Sequence, residues 1–149
     1  MGVWGTGNFE NDTALDLVAE LMETEEGAAI LVSSLQATAN IPAGETLDSD
    51  DAVETLVAAE FLAAALGVAS DDFPEEAAEW LAQNDLLAAD SFIGGPREEK
   101  IKWLSTLALR AIERIHSGDS ELDELWEESD EYEEWLATLD ELKARLTKR

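Results

Sequence analysis

The sequence predicts an all-α fold, a compact single-domain bundle or orthogonal array of five to seven helices. Apolar residues recur at intervals of three and four along most of the chain, which is the period of an α-helix. No segment alternates apolar and polar residues as a strand does. The 149 residues, 46% of them hydrophobic, are enough to bury a core. We therefore expect one α-helical domain over 1–149, with a glycine-rich N-terminal turn at 1–11 and a loop at 91–96 between two halves.

The N-terminal turn has a composition that helix packing does not explain. It places three glycines around Trp4, reaches Phe9, and runs into Asn11 and Asp12. Such glycines indicate positive φ angles or a close approach to the backbone. We expect both aromatic side chains to pack on the core while Asn11 or Asp12 caps the first helix. If this region is a binding site instead, its residues are Trp4, Gly5, Gly7, Phe9, Asn11, Asp12 and Asp16.

The first half of the chain predicts three helices in sequence. Residues 12–23 and 25–39 show apolar positions at helical spacing, and the proline and glycine within 40–44 end the second helix. The acidic segment 48–51 supplies the start signal for the third. Residues 51–66 are apolar around most of the helix circumference, which is typical of a helix surrounded by others. We predict that this is the central helix.

Glu60 lies on the most apolar face of that predicted central helix. A buried carboxylate must be protonated, hydrogen-bonded or paired with a cation. Residues 1–96 contain no Lys or Arg, so a cationic partner has to come from later in the chain. We expect Arg110 or Arg114, and we interpret all three as buried polar residues of a structural ion pair or hydrogen-bond hub rather than a catalytic site.

The second half of the chain continues the helical pattern. Proline and acidic residues at 71–76 begin a fourth helix, which ends near Asn84. The loop at 91–96 contains two glycines and a proline. Residues 97–117 predict a long helix that carries most of the basic residues, and residues 121–146 predict one or two more.

Charge restricts the classes of partner. The chain has 35 acidic and 9 basic residues, a net charge of −26. Such a surface repels phosphate backbones and anionic lipids, so we expect neither direct nucleic-acid binding nor membrane binding. A basic protein or a cation would be attracted. Solubility or adaptation to salt would explain the same composition without any partner.

The densest acidic run, residues 119–134, is the first candidate for a face that binds a basic partner. It contains ten acids, with Trp126 inside it and Trp135 just beyond it as apolar anchors. A solvated helix face is the alternative interpretation. The residues assigned to the acidic face are Asp123, Glu124, Trp126, Glu127, Asp130, Glu131, Glu134 and Trp135.

The sequence contains few residues that could form a catalytic site. It has no cysteine, and His116 is its only histidine, so no nucleophilic triad is indicated and no catalytic residue is assigned. It contains no cofactor motif and no metal-ligand pattern, so we predict no cofactor and no metal. The enzymatic alternative is a carboxylate-metal site centred on Asp12 and Asp16, with Glu60 as a further ligand.

Several motifs together resemble the bacterial proteins grouped as domain of unknown function 4259. The matching segments are Trp4-Gly5-Thr6-Gly7 with Phe9, Asn11-Asp12-Thr13-Ala14 with Asp16, Leu47-Asp48-Ser49-Asp50, Ala58-Ala59-Glu60, Ser120-Glu121-Leu122 and Glu124-Leu125-Trp126. The resemblance therefore spans nearly the whole chain, although Asn8 stands where proline is expected in many relatives. It implies no activity, cofactor or catalytic residue, because the family has none established.

These observations favour a small, non-enzymatic, helical protein that binds a basic protein partner, as an immunity-type inhibitor or a nucleic-acid mimic does. We expect it in the cytoplasm, because the sequence starts without a signal peptide and has no run of membrane-spanning length. The alternatives are the carboxylate-metal-dependent enzyme and a housekeeping domain whose acidity serves only solubility or salt tolerance. The oligomeric state is left open.

Overall fold

Seven α-helices make up the fold of the computed structural model, which describes residues 5–42, 44–84, 96–117 and 119–148. Within these ranges there is no β-strand, and an isolated bridge between Leu47 and Ser120 is the one element of β-type pairing. The all-α prediction is confirmed. The helices are α1 Asp12–Glu23, α2 Gly27–Ala39, α3 Ser49–Ala65, α4 Glu75–Gln83, α5 Arg97–Ile115, α6 Glu121–Glu127 and α7 Tyr132–Lys148.

Helix α3 is the centre of the molecule, as its all-round apolar pattern predicted. It contacts each of the other six helices. Its buried side chains include Val57 and Phe61, and small residues such as Ala58 and Ala63 let neighbouring helices approach closely. The remaining helices therefore pack around a core that α3 supplies from all sides.

Local capping explains where the helices begin and end. The Asn11 side chain accepts a hydrogen bond from the Ala14 amide at 2.8 Å, so Asn11 is the N-cap of α1. The Asp48 carboxylate accepts from the amides two and three residues on, which starts α3, and Ser120 caps α6 in the same way. Gly67, with φ of +89°, follows the end of α3 in the left-handed conformation that glycine adopts readily.

The loop before α3 holds the start of α6. The Leu47 amide donates to the Asp119 carbonyl at 2.8 Å, and the Glu121 amide donates to the Leu47 carbonyl at 3.0 Å. The Glu121 carboxylate in turn accepts from the Ser49 amide at 3.0 Å. These bonds place the N-terminal ends of α3 and α6 side by side.

The buried ion pair of Glu60 has a different partner from the one predicted. Glu60 is 2% exposed, and its two carboxylate oxygens lie 2.9 and 3.1 Å from the guanidinium nitrogens of Arg145 on α7. The prediction of Arg110 or Arg114 is wrong. Arg110 is exposed and Arg114 half-buried, and both donate to backbone carbonyls at the end of α2 and in the loop 40–47. Backbone carbonyls that lack a partner at the end of a helix or in a loop are strong acceptors, so they bind these arginines instead.

Two sequence predictions concern residues outside the described ranges. These are the placement of Trp4 against the core and the loop at 91–96, of which only Pro96 is described. In the part of the chain that is described, none of the helices combines the length and the apolar character needed to cross a bilayer.

Candidate functional site

A groove of about 520 Å³ lies where α1, α3 and α6 begin, and it is bounded on one side by the turn after α6. We call it the α1–α6 groove. Its position follows from the backbone bonds that hold the starts of α3 and α6 together. Its lining consists of apolar Val53, Leu122, Leu125 and Trp126, acidic Asp12, Asp50, Asp130 and Glu131, and Gly5, Asn11, Thr13, Ser49 and Ser129.

The apolar part of the groove is open to solvent. Leu125 is 44% exposed, Trp126 is half-buried, and Val53 and Leu122 are buried beneath them. One other large hydrophobic side chain is exposed among the described residues, Leu15 at 40%, and it lies outside the groove. A concave surface that combines apolar side chains with a few polar groups is typical of a binding site.

Four carboxylates edge the groove. Asp12 and Asp50 belong to α1 and α3, while Asp130 and Glu131 lie in the turn before α7. All four side chains are exposed, and none forms a salt bridge with a basic side chain in the part of the chain that is described. Their negative potential is therefore not neutralised locally and is available to a cationic ligand.

A narrow recess of about 30 Å³ adjoins the groove. The two share five lining residues, Gly5, Asn11, Val53, Leu122 and Trp126, and the recess also reaches Thr6, Gly7, Asn8, Leu56 and Trp135. Asn8 is 5% exposed, and its Nδ2 donates to Glu60 Oε2 at 2.7 Å. Its Oδ1 is buried and has no hydrogen-bond partner. The lining of the recess therefore includes Asn8, whose buried side-chain oxygen has no hydrogen-bond donor.

Two glycines of the N-terminal turn, Gly5 and Gly7, lie against the Glu10 side chain. Its Oε1 accepts a hydrogen bond from the Gly7 amide at 3.0 Å, and its own amide donates to the Gly7 carbonyl at 3.0 Å. A Cβ atom on Gly5 or on Gly7 would overlap the Glu10 carboxylate. Neither glycine has a positive φ angle, and the close approach of this side chain, whose free end can shift, favours glycine at both positions.

The structure brings parts of the two predicted sites to one place. The N-terminal set and the acidic face lie more than a hundred residues apart in sequence, yet both line the α1–α6 groove because the starts of α1, α3 and α6 meet there. The residues that they contribute to it are Gly5, Asn11 and Asp12 from the first set and Trp126, Asp130 and Glu131 from the second. Gly7 and Trp135 line only the recess.

Three of the predicted site residues belong to the core instead. Phe9 packs its ring edge-on against Phe73, with ring centroids 5.6 Å apart. Trp135 is 2% exposed, so it cannot anchor a partner at the surface, and Asp123 is also buried. Neighbouring residues of the fold already cover these three side chains, so a ligand cannot contact them. The exposed predicted residues that do not line the groove are Asp16, Glu124, Glu127 and Glu134.

A polar cluster around Asp123 was not predicted from the sequence. His116 Nδ1 lies 2.8 Å from Asp123 Oδ1, and the Tyr132 hydroxyl donates to the same oxygen at 2.9 Å. Burial, together with the neighbouring Asp123 carboxylate, raises the pKa of Tyr132 to about 12. The cluster ties α6 to the end of α5 and to the start of α7. Its members come from three elements, so no local spacing could reveal it.

The proposed metal ligands do not form a group. The Glu60 carboxylate is bound by Asn8 and Arg145, while Asp12 and Asp16 are exposed on α1. Among the residues described, no three His, Asp or Glu side chains lie together in a way that could hold a metal ion.

Comparison with known proteins identifies a family. The family model described as Domain of unknown function (DUF4259) matches residues 2–138, which is most of the chain. No curated protein and no solved structure matches the chain.

Proposed function

The chain belongs to the DUF4259 family, and we propose that it is a non-enzymatic binding module of the bacterial cytoplasm whose α1–α6 groove takes a basic segment of a partner protein. The family description names no activity, so the proposal rests on the geometry of the chain itself. The observation that carries it is a solvent-open groove in which an exposed leucine lies between unpaired carboxylates.

The groove combines the two features that a basic amphipathic segment requires. Leu125 and Trp126 offer apolar surface for leucine-like side chains and for the aliphatic stems of lysine or arginine. The carboxylates at the edge attract the charged ends, and the net charge of −26 steers a basic partner from a distance. The chain would then cover the nucleic-acid-binding surface of such a partner, as an immunity-type inhibitor or a nucleic-acid mimic does.

A second cavity, between α2 and α3, is less suited to this role. It has a volume of about 460 Å³, but small residues and hydroxyl groups form much of its lining. Its larger apolar residues, Ile30 and Ile41, are half-buried and pack against the core. It therefore offers no exposed apolar anchor comparable to Leu125.

A pair of synthetic peptides tests the proposal by calorimetry and NMR. We expect the amphipathic octapeptide LKKLLKKL to bind at low ionic strength with shifts centred on the groove, and its counterpart LEELLEEL not to bind. Leu125→Ala should weaken binding about fivefold, because roughly 1 kcal/mol of apolar contact is lost. Leu15→Ala is the matched control and should leave the affinity unchanged. Equal effects of the two substitutions, or shifts outside the groove, would overturn the proposal.

Charge at the groove edge is tested separately. The double variant Asp130→Asn and Glu131→Gln should slow association of LKKLLKKL and reduce its dependence on salt. The double variant Glu75→Gln and Glu76→Gln removes the same charge from exposed positions at the start of α4. If both variants change the association rate equally, net charge alone drives binding and the chain is better described as a housekeeping domain with a soluble surface.

A further inference from the structure

We propose that the recess beside the α1–α6 groove takes the primary ammonium group of a lysine side chain, which donates a hydrogen bond to Asn8 Oδ1. This inference rests on the proposed function and specifies which basic residue of the partner the groove selects. The groove alone would accept lysine or arginine, whereas the recess distinguishes them.

The orientation of the Asn8 amide is fixed by the ion pair behind it. Arg145 holds Glu60 as a carboxylate, which can only accept hydrogen bonds, so the Asn8 nitrogen must face it. The oxygen of the same amide is then the group left without a partner. A buried acceptor without a donor costs free energy, so a ligand that supplies a donor gains affinity from it.

The charge around Asn8 favours a cationic donor over a neutral one. Glu60 and Arg145 neutralise each other as a pair. Glu10, against the Gly5 and Gly7 backbone, and Asp12 at the groove edge then leave the recess in a negative environment. An ammonium group satisfies the Asn8 oxygen and is stabilised by these carboxylates at the same time.

The size of the recess favours ammonium over guanidinium. The recess has a volume of only about 30 Å³, so either group has to part its lining side chains, and the compact ammonium group requires the smaller displacement. A guanidinium group is a rigid plane of four heavy atoms and needs more room. Asn8 Oδ1 exposes less than 1 Å², so the ammonium group has to part the lining side chains. We expect the half-buried Trp126, which borders both cavities, to move.

Three related peptides test the inference. They are, all with an acetylated N-terminus, LKKLLKKL, the arginine version LRRLLRRL, and LKKLLKKL with every lysine trimethylated, which keeps the charge but removes the ammonium donors. We expect the lysine peptide to bind at least about fivefold tighter than the other two, because only it can fill the recess and donate. It alone should shift the Asn8 side-chain amide and the Trp126 indole resonances in NMR spectra.

The outcomes separate this inference from the proposed function. If the arginine or trimethylated peptide binds as tightly as the lysine peptide, the recess assignment is wrong while the groove proposal stands. If no basic peptide binds, the groove proposal itself fails. Asn8→Ala should remove the preference for lysine. The measured quantity is the ratio of the affinities for the lysine and arginine peptides within that variant, which does not depend on the overall stability of the variant. Should the variant not fold, the Asn8 amide shift and the peptide ranking in the native protein decide the question.

Discussion

At the scale of single residues, Glu60 and Arg145 form the most consequential contact in the molecule. The pair joins the central helix to the last one, and Asn8 adds the N-terminal turn to the same carboxylate. Burial lowers the pKa of the Arg145 guanidinium, but its hydrogen bonds to Glu60 and Glu141 outweigh burial and raise that pKa overall. The guanidinium therefore stays charged at neutral pH and donates to both carboxyl oxygens of Glu60.

Breaking this pair should be costly. We expect Glu60→Gln to lower the free energy of unfolding by about 3 kcal/mol, because Arg145 loses a buried counter-charge and keeps only Glu141. Chemical denaturation at neutral pH measures the effect. Glu113→Gln is the control, because its ion pair with Lys143 is exposed and worth at most about 1 kcal/mol. Equal losses of stability in the two variants would contradict a structural role for the buried pair.

Tyr132 is the only tyrosine of the chain, so its ionisation can be followed by absorbance without interference from another. We expect it to deprotonate near pH 12, because burial and the Asp123 carboxylate disfavour the phenolate. The folded pKa is raised above the unfolded one, so the resulting stability is present below about pH 10 and is lost as the pH rises toward 12. Asp123→Asn should lower the Tyr132 pKa. An unchanged titration curve in that variant would show that Asp123 has no part in the shift.

At the scale of helices, the sequence predicts the helix ends, which depend on neighbouring residues, better than it predicts the contacts between helices. The predicted start and end of α1 are exact, and the bounds of the other helices lie within a few residues, because caps such as Asn11 and Asp48 act on neighbouring amides. The partner of Glu60 and the α1–α6 groove could not be predicted in this way. They depend on which helix ends meet, and the hydrogen bonds of Arg114 to carbonyls of the loop 40–47 form only after packing.

The contact between α2 and α4 offers a test at this scale. Gly27 is the first residue of α2, and a Cβ there would overlap the Trp80 ring of α4. Alanine ordinarily stabilises a helix by about 1 kcal/mol over glycine. We nevertheless expect Gly27→Ala to destabilise the protein by about 2 kcal/mol, because the ring must shift out of a packed position. Thermal or chemical unfolding measures this change.

A double-mutant cycle isolates the cause. In a Trp80→Leu background the overlap is absent, so Gly27→Ala should become neutral or stabilising. If Gly27→Ala destabilises by the same amount in both backgrounds, the ring is not responsible and glycine at position 27 serves another purpose.

At the scale of the whole molecule, the basic residues do less to balance the charge than their number suggests. Residues 1–96 carry twenty acids and no base. Among the nine bases, Arg145 is paired with the buried Glu60 and so contributes little to balancing the surface carboxylates. The groove carboxylates therefore belong to a surface that is negative over most of its extent, which favours rapid encounter with a basic partner.

This charge distribution makes salt act in opposite directions on stability and on binding. Raising ionic strength from about 0.05 to about 0.5 M shortens the screening length and weakens repulsion among the surface carboxylates. The buried Glu60–Arg145 pair is screened far less, so the melting temperature of the free protein should rise. Over the same range LKKLLKKL should bind more weakly, because steering by the groove carboxylates is lost. Calorimetry measures both quantities. A rise in stability without any salt-sensitive binding would mean that the acidity serves salt tolerance alone, whereas a fall in stability would show that surface repulsion does not limit the fold.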